Sequence, residues 1–127
     1  IEINTMTLSD LEEIKDILQN EFDDFWNFEI FKEELVNTNS NYLLLRYENK
    51  IVCFGGIKII LDEANIMDIV TKKNERNKGF AKILLNKLIN LSKQKNCTSI
   101  TLEVIEYGLY SNLFTLSTFP SSSKLLI

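Results

Sequence analysis

A chain of 127 residues with 45% apolar and 25% charged residues is one domain with room for a single core, and its net charge of −4 argues against a nucleic-acid binder. It has no histidine, which removes Ser/His and Cys/His nucleophilic catalysis; Cys53 and Cys97 alone cannot complete a tetrahedral set, which argues against a metal site of the zinc kind. Any general base must then be a carboxylate, a tyrosine, a lysine or a positioned water.

Ile1 to Met6 alternates apolar and polar residues as a first strand does. Ser9 followed by Glu12 has the spacing of a capping box and predicts a helix carrying Leu11, Ile14, Ile17 and Leu18. The acidic, aromatic stretch Glu21 to Phe28 reads as a loop, and Asn27 can cap a second helix from Phe28 to about Val36. Tyr42 to Tyr47 and Ile51 to Ile60 are predicted strands joined by the turn Glu48-Asn49-Lys50. Gly55-Gly56 inside the second predicts a bulge or a close approach. Ile66 to Val70 is a further apolar strand, Ala81, Leu84, Leu85 and Leu88 recur at the spacing of a helix face, and Thr98 to Ile105 is rich in β-branched residues. A helix crossing between two strands makes them parallel, so the expected class is a mixed α/β sheet with the strands at 65–71 and 98–105 parallel.

No apolar run reaches the length of a membrane span, and Ile1-Glu2-Ile3 lacks the character of a signal peptide, so the expected location is the cytoplasm without membrane attachment. There the two cysteines, in apolar or strand-like surroundings and without a CxxC spacing, are expected as reduced thiols. The net charge hides an asymmetry. Residues 1–40 carry eleven acids against Lys15 and Lys32, whereas residues 72–95 carry eight bases against Glu75. An anionic ligand suits the second region and a cationic amine the first; both can equally be solvated helix faces.

Between the strand at 66–70 and the helix lies Arg76-Asn77-Lys78-Gly79-Phe80-Ala81, with Lys72, Lys73 and Lys82 in the same turn. Free backbone N–H groups at a helix start, the positive end of its dipole and a glycine that admits close approach make a pocket for phosphate oxygens, with the lysines adding charge. No Gly-Lys-Ser/Thr follows, as a P-loop requires, and the first glycine of a dinucleotide fingerprint is absent. The hexapeptide instead resembles the acyl-CoA loop of the GNAT N-acetyltransferases, Gln/Arg-x-x-Gly-x-Gly/Ala, and meets each of its fixed positions. The resemblance runs over roughly residues 1 to 105. Ile60-Leu61-Asp62-Glu63-Ala64, Thr101-Leu102-Glu103-Val104, and Phe25-Trp26-Asn27 followed by Phe31 and Leu35 are similar to the ribosomal-protein-alanine N-acetyltransferase branch.

This resemblance implies the GNAT fold, a central mixed sheet with helices on both faces, and acetyl-CoA as co-substrate. It implies that the two parallel strands splay apart, that the pantetheine arm pairs with main chain near Ile69 and Val70, and that the pyrophosphate lies on Arg76 to Ala81. The acceptor implied is an amine, either a ribosomal protein's N-terminal α-amine or a small amine such as a polyamine. Glu103, aligned with the glutamate of the Leu-Glu-Val motif, is the expected base and Asp68 the second candidate; Glu103 can equally be a strand residue facing solvent. Phe25 and Trp26 shape the acceptor pocket or pin their loop to the core.

After Val104 the family pattern, Asn-x-x-Ala-x-x-Leu-Tyr-x-x-x-Gly-Phe and two further strands, is lost, and neither Tyr107 nor Tyr110 falls in register with the tyrosine that protonates the departing thiolate. So abrupt a loss reads as truncation with an altered reading frame. The expectation is that the last strands are missing or altered, which exposes a sheet edge able to pair with a second copy. A CoA-binding domain impaired in catalysis is the third function the sequence leaves open.

Overall fold

Where apolar and polar residues alternate the chain is extended, and the computed structural model sets these stretches side by side in a six-stranded sheet, in the order of the sequence. It describes residues 1–22, 27–106 and 110–116, with side chains as far as Thr101. The strands are β1 (Glu2–Thr5), β2 (Ser40–Tyr47), β3 (Lys50–Ile60), β4 (Glu63–Thr71), β5 (Ser99–Glu106) and β6 (Tyr110–Leu116). Neighbours are antiparallel except β4 and β5, which are parallel as the crossover helix requires. That helix is α3 (Phe80–Gln94); α1 (Leu8–Glu13) and α2 (Phe28–Leu35) lie between β1 and β2 in the chain.

Helices cover both faces. On one, Leu11, Ile14, Leu18, Phe22 and Phe31 are buried against Tyr42, Leu44, Phe54 and Val70. On the other, Leu84, Leu85 and Leu88 of α3 pack on Leu45, Cys53, Ile57, Ala64, Ile66 and Ile100. Full burial of one such side chain is worth about 1.5–3 kcal/mol relative to water, so the two layers hold α3 and the α1/α2 segment to opposite sides of the same strands.

Two local details differ from the sequence expectation. The capping box of α1 is Thr7 with Asp10, not Ser9 with Glu12: Asp10 accepts from the Thr7 N–H at 2.8 Å and Thr7 Oγ1 accepts from the Asp10 N–H at 3.3 Å. Asp10 also meets Arg46 of β2 at 3.0 Å, so tertiary contact selects the earlier of two possible caps. The helix also stops sooner. Ile14 bonds back to Leu11 O, three residues behind, and the chain goes on to a π-helical turn, Leu18–Phe22. Ile14, Leu18 and Phe22 are all buried, so their spacing of four follows the core rather than one regular helix. At the other end the sequence expects the last strands to be missing or altered, and among the described residues one strand follows β5 where the family pattern has two: β6 pairs with it from Ile100↔Leu116 to Glu106↔Tyr110. Among the described residues the outer strands of the sheet are therefore β1 and β6.

The β2–β3 turn forms as expected, with Glu48 at φ 51° and Asn49 at φ 66° closing Tyr47 onto Lys50, a left-handed pair that suits the twist of a hairpin.

Candidate active site

β4 and β5 pair only from Glu63↔Ser99 to Ile66↔Leu102. Beyond that point β4 stays bonded to β3 as far as Thr71, and β5 to β6 as far as Glu106. The central strands therefore fork, and among the described residues the facing edges of 67–71 and 103–106 have no strand partner. The cause lies in the register of β4 on β3. Ile57 faces Ile66 but Gly56 faces Asp68, so Met67 is an extra residue, a β-bulge. A bulge bends its strand and sharpens its twist, and this one comes directly after the last residue paired to β5. Glu103 is the first residue of β5 past the last pair and Asp68 the second of β4, so the fold brings both acids to the mouth of the fork. Ile69 and Val70 follow along its β4 arm.

At the open end of the fork β4 runs into the basic loop. A short 3-10 turn, Lys73–Glu75, leads to Arg76 in extended conformation, Asn77 at φ 65° and Gly79 at φ 86°, where α3 begins. Gly79 is the N-cap and has no side chain with which to cap. The first-turn N–H groups of Phe80, Ala81 and Lys82 are thus left to an outside acceptor, at the positive end of a 15-residue helix. A Cβ on Gly79 would meet nothing within 4 Å, so glycine is needed there for its left-handed backbone. The Phe80 ring is buried against Tyr47, with centroids 5.4 Å apart, and fixes the first turn of α3 to the sheet. Ala81 packs on the same cluster.

Several of the basic side chains are occupied within the protein. Arg76 Nε donates to Thr71 O at 3.1 Å and its Nη2 to Phe22 O at 3.0 Å. Lys72 lies 3.4 Å from Glu21. Lys78 donates to Glu75 at 2.8 Å, and that bond holds its ammonium above the usual lysine range. Lys73 and Lys82 are exposed at the same turn. Arg76 thus joins the turn before α2 to the end of β4, a contact that the sequence gives no means of reading because its partner is a main-chain carbonyl 54 residues away.

In β3, burial pushes the Cys53 thiol up to about 11; a hydrogen bond with Thr71, at 3.4 Å, works against the shift and the Asp68 charge works with it. Phe25 and Trp26 lie outside the described residues. Among those described, no helix is long and apolar enough to cross a membrane, and no group of three or more His, Cys, Asp or Glu is gathered as for a metal ion. The residue that sequence reading passes over is Tyr42, which lies in line with Asp68 across the sheet.

Residues 11–114 match the acetyltransferase (GNAT) family. The chain belongs to that family. Among curated GNAT relatives, the [ribosomal protein bS18]-alanine N-acetyltransferase of Haemophilus influenzae is 32% identical over 106 residues, 82% of this chain and 70% of the relative. In fold, the chain resembles the ribosomal-protein-S18-alanine N-acetyltransferase of Escherichia coli, with a TM-score of 0.74 and 22% identity over 85% of this chain and 69% of that one. It also resembles the PaiA N-acetyltransferase of Thermoplasma acidophilum, solved in complex with coenzyme A, with a TM-score of 0.71 and 19% identity over 85% and 81%.

Proposed function

We propose that this chain transfers the acetyl group of acetyl-CoA to the α-amine of a protein N-terminus, and that the acceptor is the amino-terminal alanine of a ribosomal protein. The choice of acceptor is supported by the name of the Haemophilus influenzae relative. The chemistry is supported above all by the fork between β4 and β5, which opens toward the uncapped start of α3 and has an acid on each arm. Such an acceptor puts the reaction in the cytoplasm.

When bound, acetyl-CoA supplies a thioester carbonyl that a neutral amine attacks, with CoA leaving as the thiol. The chain's part is to hold and orient. Main-chain N–H groups from Asn77 to Ala81 would receive the pyrophosphate, with Lys73 and Lys82 as added charge; they suit an anion because Gly79, the N-cap of α3, has no side chain with which to cap them. Main chain at Ile69 and Val70, on the unpaired edge of β4, pairs with the pantetheine amides as a strand would. Glu103 accepts the amine's proton through a water, with Asp68 on the facing arm as the second carboxylate. An α-amine loses its proton near pH 8 and a lysine near 10.4, so a modest base is enough for a protein N-terminus at neutral pH. Phe25 and Trp26 shape the place of the acceptor's first residues.

The test is thiol release from acetyl-CoA in the presence of a basic peptide that starts with alanine, with the product weighed. Glu103→Gln is expected to lower kcat by roughly 10²–10⁴-fold, the range of general-base contributions, and to leave acetyl-CoA binding intact. An acetylated polyamine with no acetylated peptide moves the acceptor to a small amine. A second reading, a CoA-binding domain without turnover, is favoured by one observation, the departure of the sequence from the family pattern after Val104. Binding of acetyl-CoA with no thiol release under any amine selects it.

A further inference from the structure

The face of the sheet under α1 and α2 carries a polar group for which the reaction above has no use. Tyr42 in β2 is 3% exposed, and among the described residues its buried hydroxyl has no hydrogen-bond partner. Most buried polar atoms in a folded protein are satisfied, so one that is not is a candidate for a partner brought by a ligand. Its position in the sheet is specific. Tyr42 stands opposite Gly56 and Gly56 opposite Asp68, one row across three strands, and directly opposed residues share a face. A Cβ on Gly56 would lie 2.5–2.6 Å from Cδ2, Cε2 and Cγ of the tyrosine, so the ring lies flat over the glycine. The absence of a side chain at Gly56 lets the phenol extend across β3 toward β4, where the third member of the row, Asp68, stands at the mouth of the fork. Phe31 holds the ring from the helix side, with centroids 5.1 Å apart.

The charge around the hydroxyl points the same way. Burial raises the phenol well above its ordinary range, and the negative charges of Glu34 and Asp68 raise it further. A phenol so placed keeps its proton at neutral pH and is a poor acid, which leaves binding rather than proton transfer as its use. Glu34 on α2 is engaged by Ser40 Oγ and by Lys58 Nζ at 3.6 Å. The two carboxylates set a negative potential at the oxygen, the sign that attracts an N–H donor on a cationic group.

We propose that the Tyr42 hydroxyl is a binding contact for the acceptor amine, a hydrogen-bond acceptor set beside Asp68 where the fork opens. The proposal rests on the acetyl-transfer reading and adds to it a residue that selects and orients the amine. Tyr42→Phe removes the oxygen and keeps the ring on Gly56 and Phe31. In the full chain, with acetyl-CoA and the alanine-starting peptide, this variant is expected to raise KM for the peptide roughly 10- to 100-fold, the loss of one hydrogen bond to a charged group. It should leave KM for acetyl-CoA unchanged and Tm equal to or above that of the wild type, since an unpartnered buried hydroxyl destabilises the free protein. An unchanged peptide KM overturns the contact and leaves acetyl transfer standing. A rise in both KM values with a fall in Tm shows a packing role and also overturns it. Failure of the wild type to acetylate any amine overturns the contact together with the reading beneath it.

Discussion

At Gly79 the backbone sits at φ 86° and ψ 5°, and a methyl group placed there would meet nothing in the protein within 4 Å. Gly79→Ala is therefore expected to lower unfolding stability by about 1 kcal/mol, the strain of a left-handed L-residue, as measured by urea denaturation. Asn77, also left-handed at φ 65°, is a residue type that tolerates the region, so Asn77→Gly should leave the urea midpoint nearly unchanged. Asp10 gives a pH dependence. Burial raises its carboxyl, but the Thr7 N–H and hydroxyl and the Arg46 guanidinium outweigh that and hold it below its ordinary 3.8. A folded-state value below the unfolded one means that the stabilisation is complete above about pH 4 and is lost as pH falls through the folded value. Asp10→Asn should cost about 1 kcal/mol near pH 7, and the gap from wild type should narrow in urea denaturations run toward pH 3. The sequence marks Gly79 for close approach to a ligand, and the structure adds a left-handed backbone that no sequence pattern shows, because dihedral angles depend on the turn that surrounds them.

Elements that depend on neighbours in the chain are the most legible. Asn27 caps α2 as expected, its Oδ1 accepting from the Ile30 N–H at 2.8 Å, and the β2–β3 hairpin turns where an Asn in a polar trio says it should. The first cap is misplaced because Thr7-x-x-Asp10 and Ser9-x-x-Glu12 both carry the pattern, and only the contact of Asp10 with Arg46 decides between them. The bulge at Met67 is half visible: Gly55-Gly56 signals an irregularity, but the extra residue is on the partner strand, where apolar Ile66 and Met67 break the alternation. Long-range tethers such as Arg76 to Phe22 O leave no trace of spacing at all. Arg76→Ala removes two hydrogen bonds to main-chain carbonyls and is expected to destabilise by about 1–3 kcal/mol. Hydrogen exchange should show faster opening at Glu21 and Phe22 in that variant, with α3 unaffected; protection equal to the wild type would remove the tether from the account.

For the molecule as a whole, the class of sheet was legible from one crossover helix, and both acids expected at the splay stand on its two arms. The strand β6 was not, since the sequence beyond Val104 departs from the family pattern while keeping residues able to form a strand. The exposed lysines of the loop were legible as charge but not as partners, because Lys72 and Lys78 spend theirs on Glu21 and Glu75. What remains for an anion is main chain, with Lys73 and Lys82 as added charge, and binding there can be measured directly. Acetyl-CoA is titrated into the full chain by calorimetry, and the titration is repeated with Gly79→Ala. One molecule is expected to bind per chain, with affinity at least tenfold weaker in the variant, because the added methyl group would stand where the proposed pyrophosphate site has the N–H groups of α3. No binding by the wild type, or binding that Gly79→Ala leaves unchanged, would contradict it.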